Sequence, residues 1–161
     1  MISLVRVDNR LIHGQVVEAW LPYLKVGRVV VADDEAAKSD LIRAAMGLAV
    51  QAAVEVKILP LGQVDFAALA ADAVKTLILV RDVAQLLEAR GLGLGPVPVN
   101  LGNVHHRPDR RAVTPSVFLS QSELSGLKLL SESGVVVEAR AVPNERAVTL
   151  PEMQERFGKG A

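Results

Sequence analysis

The chain predicts an α/β fold: a three-layer sandwich with a mostly parallel central sheet and helices on both faces. Three observations carry that reading. Continuous apolar runs such as Arg28–Ala32 and Thr76–Val80 have the character of strands buried on both faces. Segments of helical periodicity lie between these runs, so strand and helix alternate. Half of the residues are hydrophobic while only 3% are aromatic, so the core is built from Val, Leu, Ile and Ala. The 161 residues suit one domain, 1–161, with a sizeable core, and no repeat or linker interrupts them.

Ile2–Val7 is β-branched and alternating enough to be the first strand. Ile12, Val16 and the pair Ala19/Trp20 then recur at helical spacing until Pro22, which is expected to stop the run. Arg28–Ala32 is the second strand, and Leu41, Ile42, Ala45, Met46, Leu48 and Ala49 mark one face of the next helix. Val54–Leu59, a helix around Val64–Ala70, Thr76–Val80 and a helix over Val83–Ala89 follow. Gly91, Gly93 and Gly95 break the chain before a fifth strand, Val97–Leu101. These glycines follow a helix and precede a strand, the reverse of a dinucleotide-binding fingerprint. Gly102–Thr114, rich in His, Arg, Asn and Pro, is expected to be a long loop, with a short strand at Val117–Leu119. Ser120 with Glu123 forms a capping box for a helix to about Glu132, stopped at Gly134. Val135–Arg140 is the last strand, and Thr149 with Glu152 caps a short terminal helix.

Eighteen basic and eighteen acidic side chains cancel, and no basic stripe interleaved with aromatics appears, which argues against a nucleic-acid partner. With no cysteine, disulfides, thiolate metal sites and thiol catalysis are excluded. No apolar stretch reaches the ~18–20 residues of a membrane span, and no signal peptide is evident, so a cytoplasmic protein is expected.

The chemistry concentrates between the first strand and helix, in Arg6-Val7-Asp8-Asn9-Arg10-Leu11-Ile12-His13-Gly14-Gln15-Val16. His13 falls at the first turn of a helix, where unpaired backbone N–H groups and the dipole favour anions. Arg10, three residues earlier, is a planar donor for the same anion. A neutral imidazole is a nucleophile and is abundant near neutral pH, so the segment is suited to holding a phosphoryl group on His13. Asp8 is a turn former that can also orient the imidazole by accepting from its non-attacking nitrogen. Gly14 lets the backbone approach a phosphate closely, and Gln15 is a candidate donor to it.

This segment resembles the phosphorylation-site loop of the IIB components of the mannose/fructose/sorbose family of the bacterial sugar phosphotransferase system. That loop runs Arg-(Ile/Val)-Asp-(Asp/Asn)-Arg-Leu-Ile-His-Gly-Gln-Val. The likeness continues in Val29–Ala37, in Asn100-Leu101-Gly102-Asn103-Val104-His105 and in Gly134–Pro143. One departure is Ala49–Ala53, where family members tend to carry a proline. The resemblance implies that a phosphohistidine on a IIA domain donates to His13, through Nδ1, and that His13 passes the group to a sugar held by membrane IIC and IID subunits. It further implies peripheral association with the inner membrane through those subunits, and it places Asn100 and Gly102 beside the phosphorylation loop. Those two residues are expected to shape the floor of the site, Gly102 by allowing a turn that a Cβ would obstruct. No cofactor is implied, and a homo-oligomer is left open.

Two other readings compete. One is a regulatory phosphohistidine protein uncoupled from transport. The other is a receiver-like signalling domain, which Asp33-Asp34-Glu35 brings to mind. A receiver needs a phospho-accepting Asp after a later strand and a Lys after another, whereas here those strands end in Pro60 and in Arg81-Asp82. A turn with helix N-terminal charge is the expected role of the acidic run. His105-His106 lack a third ligand, and no metal site is expected.

Overall fold

Strand β1 (Ile2–Asp8) lies at the centre of a seven-stranded sheet in the computed structural model, which describes residues 1–160. The chain continues through a helical stretch, residues 14–24, to β2 (Arg28–Ala32), α2 (Asp34–Lys38), α3 (Asp40–Ala49) and β3 (Glu55–Leu59). The helical stretch holds a π-helical turn at Val16–Trp20 and ends in α1 (Leu21–Leu24). After a 3-10 turn come α4 (Phe66–Ala71), β4 (Thr76–Val80), α5 (Val83–Gly91) and β5 (Val99–Asn103). The remainder is β6 (Arg111–Thr114), β7 (Val117–Leu119), α6 (Gln121–Glu132), β8 (Val137–Ala139), β9 (Val148–Thr149) and α7 (Leu150–Lys159). Strand order is β3-β2-β4-β1-β5-β8-β9, all parallel except β9, which runs antiparallel to β8.

Alternation along the central strands sends side chains into two cores. Val5, Val7, Val30, Ala32, Ile78 and Val80 meet α4, α5, α6 and α7 on one face. Leu4, Val29, Val31, Leu77 and Leu79 meet Val16, Trp20 and Leu21 of the first helical stretch on the other. These strand residues are buried, which explains why they read as continuous apolar runs rather than alternating ones. The second layer thins toward its edge. The apolar side of α3 is not a core face, because α3 lies over the edge strand β3. Only Met46 packs inward, while Leu41 and Leu48 are 80% and 88% exposed.

The boundaries differ from expectation at several points, among them the last expected strand, Val135–Arg140, which is the shorter β8 and is followed by β9. Helical backbone continues past Pro22, because the π-helical turn widens the helix before it and spares the ring the clash of a regular α-helix. The stop comes instead at Lys25, which is left-handed at φ 51°. The segment expected to be a loop up to Thr114 is only partly so: β5 extends to Asn103, and β6 pairs with β7 as a hairpin. Between them, residues 104–110 are held by Arg110, whose guanidinium is buried against Glu123 at 2.6 Å and donates to the His105 carbonyl at 2.9 Å. Both expected capping boxes are present, at Ser120/Glu123 and Thr149/Glu152.

Connections from the adjacent carboxyl ends of β1 and β5 leave to opposite faces, β1 toward the first helical stretch and β5 toward α6. That divergence opens a crevice at the ends of the two strands, where parallel sheets bind ligands.

Candidate active site

The crevice is filled by the loop from Asp8 to His13. Asp8 ends β1 with its side chain buried. Its Oδ1 accepts from the Arg10 backbone N–H at 2.9 Å, closing a turn, and its Oδ2 lies 2.7 Å from His13 Nε2. Asp8 thus closes the turn and lies against the imidazole. Leu11 bridges the two in the left-handed region at φ 57°, a conformation costing a branched residue about 1–2 kcal/mol. Burial of its side chain in the second core holds it there. His13 then opens the helical stretch: its carbonyl accepts from the Val16 and Val17 N–H groups, both at 3.0 Å. Its side chain is 13% exposed. With Nε2 engaged, Nδ1 is the ring nitrogen left for chemistry.

Arg10 is exposed, and its Nη2 donates to Gln15 Oε1 at 3.2 Å. Gln15 Oε1 also receives Asn103 Nδ2 at 3.4 Å, so its amide nitrogen is its remaining donor. A Cβ placed on Gly14 would meet nothing within 4 Å, so open space lies over the helix start. His13, Arg10, Gly14, Gln15 and Asp8 thus share one short loop around an open, donor-rich mouth.

Asn100 and Gly102 lie deeper than a floor touching His13. Buried Asn100 accepts from Arg6 Nη1 at 2.6 Å and donates to the Arg140 carbonyl at 3.3 Å. Gly102 makes no turn: it lies within β5, and its φ is not positive. A Cβ there would collide with Arg6 Cζ, so glycine is required by the guanidinium packed against it. Gly102 is also one extra residue in the β1–β5 ladder, where Val7 pairs with Leu101 but Asp8 pairs with Asn103. The slip delivers Asn103, whose Nδ2 donates to Asp8 Oδ2 at 2.9 Å.

Arg6, Asn103 and Trp20 adjoin the candidate site and were not singled out by sequence reasoning. Arg6 is wholly buried, two residues before Asp8 and on the same face of β1. Its Nε and Nη2 donate to Asp8 Oδ2 at 3.2 and 2.9 Å, and its guanidinium lies 5.0 Å from the Trp20 ring centroid. Trp20 Nε1 donates to the Ala141 carbonyl at 2.8 Å, and Arg140 covers the same indole at 5.5 Å. An arginine inside an apolar strand, in step with an aspartate, was the available signal. Burial alone would raise the Asp8 carboxyl. Hydrogen bonding from His13, the Arg6 charge, Asn103 and the Arg10 N–H outweigh it and hold Asp8 below the usual carboxylate range. Burial lowers the Arg6 guanidinium from its ordinary value, with Asp8 opposing it.

Asp33 has a structural role. It caps α2 by accepting from the Ala36 N–H, and it takes a bidentate pair from Arg81 at 2.9 and 2.7 Å plus Gln85 at 2.8 Å. Asp34 accepts from the Leu61 N–H at 2.9 Å. Among the described residues, no group of three or more His, Asp or Glu converges as a metal site, and no helix is long and apolar enough to cross a membrane.

Comparison with known proteins places this geometry in a family. Residues 2–159 match the model of the sorbose-subfamily IIB component of the phosphotransferase system. The chain is 30% identical over 150 residues to the N-acetylgalactosamine-specific phosphotransferase enzyme IIB component 2 of Escherichia coli K12, covering 92% of this chain and 96% of that one. It is 24% identical to the mannose-specific EIIAB component of the same organism, over 99% of this chain but only 50% of that protein. The crystal structure of the IIBSor domain of the sorbose permease from Klebsiella pneumoniae superimposes with a TM-score of 0.85 at 23% identity, over 96% of this chain and 97% of that domain. The family match over residues 2–159, with the 30% identical relative covered nearly in full, makes this protein a member of the sorbose-subfamily IIB components of the sugar phosphotransferase system.

Proposed function

We propose that this protein carries a phosphoryl group on His13 Nδ1, accepting it from a phosphohistidine of a IIA domain and passing it to a sugar. The observation that carries this reading is the 2.7 Å contact between Asp8 Oδ2 and His13 Nε2, which occupies Nε2 and leaves Nδ1 as the nitrogen for the phosphoryl group. In the first step the Nδ1 lone pair forms a bond to phosphorus. The donor's N–P bond breaks, and its electron pair returns to the donor imidazole. The Nε2 proton stays on His13, shared with Asp8. In the second step a sugar hydroxyl oxygen attacks phosphorus, the His13–phosphorus bond breaks with its pair returning to Nδ1, and the hydroxyl proton passes to water. Such transfer needs positioning and charge neutralisation more than covalent assistance. Arg10, the Gln15 amide and the N–H groups at the helix start are equipped to supply the neutralisation.

The donor assignment draws on the mannose relative, named an EIIAB component, of which this chain spans about half. Sugar and membrane attachment would both be supplied by IIC and IID subunits, against which the protein docks from the cytoplasmic side. The test is phosphorylation with phosphoenolpyruvate, the two general phosphotransferase proteins and a IIA donor, followed by site mapping. One acid-labile, alkali-stable label on His13, absent from His13→Ala, is expected. A His13→Ala protein that takes up label at normal stoichiometry overturns the reading.

A further inference from the structure

We propose that Arg6 is a positioning residue for phosphoryl transfer: from inside the sheet it fixes the Asp8 carboxylate and balances its charge, so that His13 meets its donor as a neutral nucleophile. The proposal rests on the reading of His13 as the phosphoryl carrier. Arg6 and His13 converge on one atom, since Asp8 Oδ2 takes Arg6 Nη2 at 2.9 Å and His13 Nε2 at 2.7 Å. A carboxylate this close and buried, left unbalanced, favours the imidazolium, whose Nδ1 has no lone pair. The guanidinium behind the same oxygen makes the pair net neutral while leaving Oδ2 able to accept from Nε2.

The surroundings hold that guanidinium in one place. Asn100 Oδ1 and the Arg140 carbonyl take Nη1, Trp20 covers its face, and Gly102 leaves room where any Cβ would collide. A buried ion pair is a poor stabiliser compared with apolar residues of the same volume. Its presence in a central strand therefore points to what it does for the neighbouring ring. Other charges near the pair are Arg10 from the same loop and, from β8 and the turn after it, Glu138, Arg140 and Glu145. Of these, none bonds to Asp8 Oδ2. Arg6 makes and breaks no bond in the reaction.

The test is the initial rate of His13 phosphorylation by the IIA donor, from mildly acid to mildly alkaline pH, for the full chain and its variants. Arg6→Gln is expected to lose at least about tenfold at neutral pH, with the acid limb of the profile moved to higher pH and the rate recovering as pH rises. Arg6→Lys, which restores the charge without the fork, keeps the limb in place and recovers part of the rate. Arg6→Gln/Asp8→Asn returns the limb to the acid side but stays slow at every pH, because the imidazole has lost its anchor. If Arg6→Gln does not fold, near-isosteric Asn100→Asp carries the test by drawing the guanidinium charge away from Asp8, and it too is expected to move the limb upward. A limb that stays put in Arg6→Gln, or in Asn100→Asp where that variant carries the test, with any loss uniform across pH, overturns the role of Arg6. Label on a residue other than His13 overturns the carrier reading instead.

Discussion

At the scale of single residues, the loop divides its work between groups that hold His13 and groups free to meet a ligand. Asp8 belongs to the first set, with every bond to it coming from the protein. Arg10 belongs to the second, being exposed, with its side chain donating to Gln15. A charge-assisted hydrogen bond contributes roughly 1.5–3 kcal/mol, against perhaps 0.3–1 for a helix N-terminus, so Arg10 should matter more than the dipole. Arg10→Ala is therefore expected to keep its circular dichroism and melting temperature while phosphorylation slows at least about tenfold, or ~1.4 kcal/mol. Arg10→Lys should recover only part of the loss. An unchanged rate, or a collapsed melting curve, contradicts this. The loop was legible in the sequence because its chemistry is local: His13, Asp8 and Arg10 lie within six positions. Arg6 was not, since its meaning depends on Gly102 and Asn100, brought alongside only by strand pairing.

Among the elements, β5 shows the same limit. Its last residues read as a polar loop, yet the extra residue at Gly102 turns them into a strand end that presents Asn103 to Asp8. Gly102→Ala should destabilise by about 1–3 kcal/mol or more, the range for overpacking, because the guanidinium it displaces is pinned on several sides. Chemical denaturation measures this, and an unchanged midpoint contradicts it. The ladder also couples the two segments, with the Asn9 N–H donating to the Asn103 carbonyl at 2.9 Å. Phosphorylation is accordingly expected to shift the amide resonances of Gly14, Gln15 and residues 102–104 together. Shifts confined to residues 8–17 would break that link. The helix α3 shows a further limit: an apolar stripe says which side is sticky, not whether anything lies beneath it.

For the molecule as a whole, period and alternation were enough to give a mostly parallel sheet, because strands buried on both faces cannot disguise their composition. Strand order is a matter of long-range pairing and was not readable, although it is what sets the crevice at β1 and β5. Acid stability is a global consequence of the buried carboxylates. Asp8 and Asp33 are both held below the usual range, Asp33 by Arg81, Gln85 and the Ala36 N–H against the upward pull of burial. A carboxyl depressed in the folded state contributes stability above its unfolded value, near 3.9, and loses it as pH falls through the folded value. Melting temperature should thus decline steeply only below about pH 4, and Asp33→Asn, less stable at neutral pH, should show a flatter acid decline. Parallel declines for the two proteins contradict this. The central claim, a phosphoryl group on one nitrogen of one histidine, is tested most directly by nitrogen–phosphorus NMR. The sample is ¹⁵N-histidine-labelled protein phosphorylated through the IIA donor. Coupling of phosphorus to Nδ1 of His13, with Nε2 still carrying its proton, is the expected result. Coupling to Nε2, or to His105 or His106, would contradict it.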